Sequence, residues 1–450
     1  MIKKIIFFTI PFLTISISLL QNIYAEKSDG NLLSLDDAIE EAILYNPLLK
    51  ESKEKSEAAK SEYNGATVDL LPKFSTSYSY TRFMDYPYMK LGLDFPGLPE
   101  ELPVSEKDVY KWDVTLIQPI FTGFALISKR ELAKLGVNIG KLDMQLCSLH
   151  IIQNVKNVYF GILIKKLIYE VSLEEVKLLE LHLKDAENFF EQGLISNNDL
   201  LKTKVSLANA KLKKEKNHKN YIMTIEGMNI LLNRPLNSHI TVIDVNEPSR
   251  ASYNQSELIR TALKQRPEVK ILSLAIKKSD MAIMLARSRY YPEILLLGRY
   301  EKIGENPLAT KNTHNNDHNA SISIIAKYKF FEWGKSTFKV DNAIHIKNSI
   351  IEKLKFLKRT IANEVKNAIL DIEVANKNIS TSKKALEQAK ENFRIVDIQY
   401  KQQMTTSTEV LDATTFLSSA KINYFSTLYG YRTSLAKLEK AIGKIKIKSD

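Results

Sequence analysis

Two stretches of this chain carry apolar residues at spacings of three and four for dozens of positions. In the first, Leu132, Leu135, Ile139, Leu142, Leu146 and Leu149 step by 3, 4, 3, 4 and 3. In the second, Leu354, Leu357, Ile361, Val365, Ala368 and Ile372 keep to the same two spacings. That pattern marks a helix with a narrow, coiled-coil-like seam. Neither 122–191 nor 335–402 contains proline, so each predicts one unbroken helix. About 70 residues at ~1.5 Å each span roughly 100 Å, far more than a globular core requires. Shorter helical patterns cover 35–70, 198–233, 257–290 and 408–443. Pro47 after Asn46 and Pro267 after Arg266 predict a break in the first and third of these. Two half-length helices stacked end to end match one long helix, which predicts a tall helical cylinder.

Strict alternation appears elsewhere. In 74–83, Phe74, Tyr78 and Tyr80 point one way and Ser75, Ser77 and Ser79 the other. In 110–121, Trp112, Val114 and Leu116 oppose Lys111, Asp113 and Thr115. The runs 294–302 and 321–330 alternate likewise, with Ile322, Ile324, Ala326 and Tyr328 opposing Ser321, Ser323, Lys327 and Lys329. These predict four strands of about ten residues, each with one apolar face. The proline-rich 84–108 and the polar 304–319 read as loops.

The order repeats. Phe190 to Leu207 aligns with Tyr400 to Leu417 at an offset of 210, placing Phe190 on Tyr400, Gly193 on Gln403, Ser196 on Thr406 and Asp199 on Glu409. Each is a hairpin turn in which Ser196 or Thr406 stands three positions before an acid, the spacing of a helix N-cap. The chain therefore reads as a leader, 1–25, and two copies of one unit, 26–245 and 246–450. Each unit is helix, strand, loop, strand, long helix, turn, helix.

Composition narrows the reading. Lys3 and Lys4, an apolar run and Ile23-Tyr24-Ala25 have the order of a secretory signal peptide. Charge is +12, but the lysines are scattered among glutamates along helices, as on a solvated face, and export argues against nucleic acid. Cys147 is the single cysteine, which excludes an intrachain disulfide and a cysteine-based metal site. His314 and His318 have a spacing that suits a metal on a helix, yet they lie in an asparagine-rich loop, and the other five histidines are isolated. There is no phosphate loop, no Ser-His-Asp arrangement and no paired catalytic carboxylates. The sequence thus predicts no enzyme and no cofactor.

Four strands with one apolar face suit a membrane β-barrel, but four cannot close, and open edges are not tolerated in lipid. Copies of the chain must combine. The residues alone leave eight strands from two copies or twelve from three equally open.

At this point the sequence resembles the TolC-type outer-membrane efflux proteins, or outer-membrane factors. The strongest part is Thr408 to Leu417, TEVLDATTFL, followed by Ala420, Tyr424 and Ala441-Ile442-Gly443. Leu35 to Pro47 resembles the family's opening segment, and PIFTG at 119–123 and FFEWG at 330–334 resemble its strand-to-helix junctions. The resemblance covers essentially the whole chain after the leader.

It implies an α+β membrane protein of duplicated units, forming a homotrimeric 12-stranded β-barrel in the outer membrane that continues as a helical coiled-coil barrel through the periplasm. It further implies an exit duct without its own energy source, docked to a periplasmic adaptor and an inner-membrane transporter, and serving efflux or type I secretion. By position, Glu409 and Asp412 match the family's acidic constriction. Tyr400 and Asp199 match its closed-state latch, although the latch arginine is Thr405 here. Gly193, Ser196, Gln403 and Thr406 fall in the turns that adaptors contact, with Gln403 departing from the family glycine. The rival class is a coiled-coil interaction protein without a channel, which would not need four alternating strands.

Overall fold

The computed structural model describes residues 32–90, 92, 101–244, 253–314 and 316–444. The leader at 1–25 and the basic tail at 445–450 lie outside them, as do parts of 84–108 and 233–254.

The chain opens with a short strand β1 (Leu32–Leu33) and the helices α1 (Leu35–Tyr45) and α2 (Pro47–Val68). Ser34 starts α1: its Oγ accepts from the Asp37 amide at 3.1 Å and donates to the Asp37 carboxylate at 2.6 Å. Asn46 is extended, because a residue before proline is pushed out of helical geometry. Its side chain caps α2 through the Leu48 amide and donates to the Leu231 carbonyl at 2.8 Å. The break is therefore also a tie to a helix almost 200 residues later.

Strand β2 (Lys73–Arg82) follows, then a small hairpin of β3 (Tyr88–Lys90) and β4 (Glu101–Pro103), and β5 (Asp108–Thr122). The first long helix, α3, is Ala125–Glu191, and α4 (Asn197–Leu232) returns beside it. Strand β6 (Thr241–Val242) pairs in parallel with β1. The second unit is α5 (Gln255–Gln265), α6 (Pro267–Arg287), a 3₁₀ turn at Ser288–Tyr290, β7 (Glu293–Gly304), β8 (His318–Lys327), α7 (Lys335–Lys401) and α8 (Ser407–Ala441).

Helices α3 and α7 are each 67 residues, about 100 Å at ~1.5 Å per residue. Helix α3 begins three residues inside its predicted range, because the backbone must first turn from strand to helix, whereas α7 begins at the predicted Lys335. Gly123 and Phe124 make that turn with φ 60° and 70°, and Trp333 and Gly334 with φ 52° and 75°. At Gly123 only a glycine fits, since a Cβ would sit 2.4 Å from the Ser288 carbonyl oxygen. The other helices flank α3 in tandem. Helix α2 lies along its strand end, where Tyr63 meets Arg130 at 3.2 Å, and α4 along its far end. Lys204–Glu187, Lys211–Glu180 and Lys213–Glu175 clip α4 to α3 at 3.2, 3.0 and 2.8 Å. Among the described residues no helix is long and apolar enough to cross a membrane.

The core sits at mid-height, in two clusters. One gathers Ile39, Ala42, Ile151, Val155, Tyr159, Ile162, Met228 and Leu232, with Tyr429 from the second unit. The fully buried Tyr159 hydroxyl lies 2.9 Å from the Leu33 carbonyl and 2.7 Å from that of Ile243, pinning the β1–β6 pair to α3. The other cluster gathers Ala262, Val269, Ile361, Val365, Ile369, Tyr431 and Leu438. There Arg266, the counterpart of Asn46 in the second break, is buried between Glu268 and Glu364.

The four long strands form one antiparallel sheet in the order β2-β5-β7-β8. The two units thus join through β5 and β7, whose register runs from Tyr110↔Gly304 to Thr122↔Glu293 with a bulge between Pro119 and Phe121. A proline is accommodated there because a bulge interrupts the ladder. Strand β8 spans 318–327 rather than the expected 321–330, since its pairing with β7 ends at Lys327↔Glu293, where β7 itself begins. Register places Phe74, Tyr78, Tyr80, Trp112, Val114, Leu116, Tyr300, Ile322 and Ile324 on one face. The opposite face carries Ser77, Lys111, Asp113, Arg299, Glu301 and Ser321. Ser77 Oγ donates to Asp113 at 2.5 Å and Lys111 pairs with Glu301 at 3.0 Å across that polar face. On the apolar face Tyr80 stacks on Tyr110 at 4.8 Å and Trp112 meets Tyr300 edge-on at 6.3 Å. That face is open: Ile322 is 83% exposed and Ile324 70%.

Candidate functional site

The end of the molecule remote from the sheet is formed by two hairpin turns, α3–α4 and α7–α8, with the same backbone design. In the first, the Leu194 amide donates to the Phe189 carbonyl at 2.8 Å and the Gly193 amide to Phe190 at 2.9 Å. In the second, Met404 donates to Gln399 at 2.8 Å and Gln403 to Tyr400 at 2.9 Å. Both are Schellman closures, which need a left-handed residue just past the helix. Gly193 supplies it with φ 70° and Gln403 with φ 59°.

The next helices are capped as the spacing predicts. Ser196 Oγ accepts from the Asp199 amide at 3.1 Å and donates to its carboxylate at 2.8 Å. Thr406 Oγ1 accepts from the Glu409 amide at 3.4 Å. Asp199 also lies 3.8 Å from Lys202.

Glu409 and Asp412 share one exposed face of α8, opposite the buried Val410, Ala413, Thr414 and Leu417. Neither forms an ion pair among the described residues. Phe416, one turn on, continues the face and is 63% exposed.

Tyr400 and Asp199 are not hydrogen-bonded to each other within the chain. Tyr400 is instead buried at the junction of the two hairpins, its ring 4.6 Å from that of His182 and 5.5 Å from that of Phe189. Its hydroxyl lies beside Ser407 without good hydrogen-bond geometry, and burial pushes it above the usual phenol range. His182 on α3, Thr203 on α4 and Ser407 on α8 complete this junction. His182 Nε2 is 2.8 Å from Ser407 Oγ, which is 2.9 Å from Thr203 Oγ1. All three are buried. Sequence reasoning missed them. The available signal was position: Leu179, His182 and Ala186, like Leu200, Thr203 and Leu207, follow the seam spacing, and a polar residue on a seam needs a partner.

At the sheet end, His314 Nε2 is 3.4 Å from Glu106 and His318 Nδ1 is 2.7 Å from Asp317. The two histidines are not on a helix, since His318 begins β8.

Comparison with known proteins agrees with this geometry. The sequence profile of the outer membrane efflux protein family matches residues 258–444. No curated protein matches the chain. Among solved structures, the chain is similar to the CmeC outer membrane channel of Campylobacter jejuni, with 16% identity, 92% of this chain and 87% of that one covered, and a TM-score of 0.80. It is also similar to the outer membrane protein VceC of Vibrio cholerae (13% identity, 91% and 96% covered, TM-score 0.75). The open state of the MtrE outer membrane channel of Neisseria gonorrhoeae is a third (18%, 91% and 89%, TM-score 0.72). The resemblance read from the sequence is thus met twice: residues 258–444 match the outer membrane efflux protein family, and the described chain has the same fold as the outer membrane proteins CmeC and VceC.

Proposed function

We propose that this chain is one protomer of an outer-membrane exit duct. Three copies close a 12-stranded barrel in the outer membrane, and their helices continue as a coiled-coil tunnel in the periplasm. The duct is passive, taking cargo from an inner-membrane transporter through a periplasmic adaptor that contacts the turns at Gly193, Ser196, Gln403 and Thr406. Efflux and type I secretion use the same geometry. Residues 1–25 are the export signal, and 26–245 and 246–450 are the two repeats.

The observation that carries this reading is the sheet. Among the described residues the four antiparallel strands end in two unpaired edges, β2 and β8, and expose an aromatic and aliphatic face beside a polar one. In lipid such edges must pair with further strands, and the apolar face belongs outside while the polar face lines water. At the other end, Glu409 and Asp412 present two carboxylates, without an ion pair among the described residues, on one face of α8. Threefold repetition would gather six of them at the constriction, where they favour cations and hinder anions.

Single-channel recording in planar bilayers tests this. The wild type is expected to give small, cation-preferring steps, and Glu409→Ala/Asp412→Ala to lose the preference. Conductance with unchanged selectivity would remove these two acids from the constriction. Silence in both forms, with no trimer in the outer-membrane fraction, would instead leave a coiled-coil interaction protein.

A further inference from the structure

The junction at His182 joins all four helices of the two hairpins at a buried point. Its protons can be assigned from geometry. Thr203 Oγ1 lies 3.0 Å from the Asp199 carbonyl, which can only accept, so Thr203 donates there. Ser407 then donates to Thr203 Oγ1, and His182 must donate to Ser407 from Nε2. The result is a one-way chain, His182 to Ser407 to Thr203 to the Asp199 carbonyl, running from α3 through α8 to α4. Tyr400 of α7 covers the imidazole. Each hydroxyl in the chain is used once, with the neutral imidazole at its head.

The position leaves a charged imidazole poorly served. His182 is 6% exposed, Ser407 already receives its Nε2 proton, and Tyr400 and Phe189 stand around it as rings. The acids that face it are Asp185 on its own helix and Asp397 on α7, and Asp397 is held by Lys401 at 2.8 Å. On α4 the charged residue one turn from Thr203 is Asp199, occupied by Ser196. On α8 the nearest in sequence to Ser407 is Glu409, which is exposed.

We propose that His182 is an acid-released bolt between the two hairpins: while its imidazole is neutral the tips stay joined, and when it takes a proton they part. This rests on the duct reading above, because it assigns a way of regulating that duct's inner end. The sign follows from linkage. Burial lowers the imidazole from its ordinary 6.5 to about 4 while the tips are joined, against the two acids, and parting returns it to water. A group depressed in the joined form stabilises that form above 6.5 and loses the contribution as pH falls towards 4. Over that window the joined-to-parted ratio falls on the order of tenfold per pH unit.

The test uses the full chain in lipid, with amide hydrogen exchange at the end of α7 and the start of α8 measured beside single-channel conductance, from about pH 7 to about pH 5. After correction for the intrinsic pH dependence of exchange, local opening in the wild type should rise by on the order of tenfold per unit below 6.5. His182→Gln keeps a donor for Ser407 but cannot ionise, and should not respond. Asp185→Asn leaves the hydrogen-bond chain intact and removes a carboxylate that favours the charged imidazole while the tips are joined. The rise should still begin at 6.5, the parted value, which excludes Asp185 as the titrating group even if His182→Gln fails to fold. A wild type without a response, a His182→Gln variant that responds equally, or an Asp185→Asn variant that no longer responds would each overturn the bolt. Channels that conduct but answer acid independently of His182 would leave the duct standing and remove the bolt. Exchange that answers acid in a chain that never conducts would keep the bolt and remove the duct.

Discussion

Gln403 holds a backbone conformation that the first hairpin gives to Gly193, and it does so with a side chain. A non-glycine residue in the left-handed region costs roughly 1–2 kcal/mol. Gln403→Gly should therefore stabilise the α7–α8 turn by about 1 kcal/mol, read as slower local hydrogen exchange at 402–406, and Gly193→Ala should weaken the first turn by a similar amount. The caps around these turns were legible because capping is local: Ser196 and Asp199 are three residues apart, as are Thr406 and Glu409. The junction was not, because His182 and Ser407 are separated by 225 positions. Periodicity identifies a seam but does not name which polar residues on two different seams will meet. The expected pair of Tyr400 and Asp199 was drawn from resemblance; within this chain Ser196 holds the Asp199 carboxylate and the Tyr400 ring packs on His182 and Phe189.

The elements of the chain differ in how tightly each end is specified. Gly123 turns strand into helix with a left-handed backbone against the Ser288 carbonyl, whereas a Cβ on Gly334 would meet only the ring of Phe338, at 3.3 Å. Gly123→Ala combines backbone strain with a clash against main chain, and is expected to cost more than about 3 kcal/mol. Gly334→Ala should cost about 1 kcal/mol, since a ring can move aside. Thermal unfolding of the two variants in detergent gives the comparison directly. The strands themselves were legible from alternation, and their ends were not. Where β8 starts and stops is decided by β7, its partner, and a single strand carries no record of that register. The same holds for α3, whose first predicted residues, 122–124, are consumed by the junction, while α7 starts where the sequence placed it.

For the whole molecule, one sheet face meets lipid and the other meets water under the proposed function, and a pair of adjacent substitutions separates them. Ile324→Lys places a charge on the apolar face, with an expected cost of roughly 2–4 kcal/mol if it falls near the bilayer midplane. Ser323→Lys, one position away on the polar face, should be tolerated. The measurement is the fraction of each variant recovered folded in the outer-membrane fraction. Equal recovery of both would contradict the assignment of faces. At this scale the sequence was informative because duplication gave each long helix, broken helix and long strand a counterpart, so that the break at Asn46 could be checked against Arg266, and Gly193 against Gln403. The number of copies that complete the barrel was not available from periodicity, because alternation describes a strand and says nothing of its neighbours.

The equality of α3 and α7, 67 residues each, has a consequence for how such a chain can change length. The four helices of the two hairpins form a ruler. Their tips meet at one height only because both long arms measure the same distance from the sheet. Removing seven residues from α3 alone would lift its tip by about 10 Å and carry His182 away from Ser407. The same removal made together in α3, α4, α7 and α8 would keep every seam in phase. The length of this molecule should therefore be adjustable in whole heptads taken from both hairpins at once, so that a shorter or longer reach from the sheet to the tips is attained in steps rather than continuously.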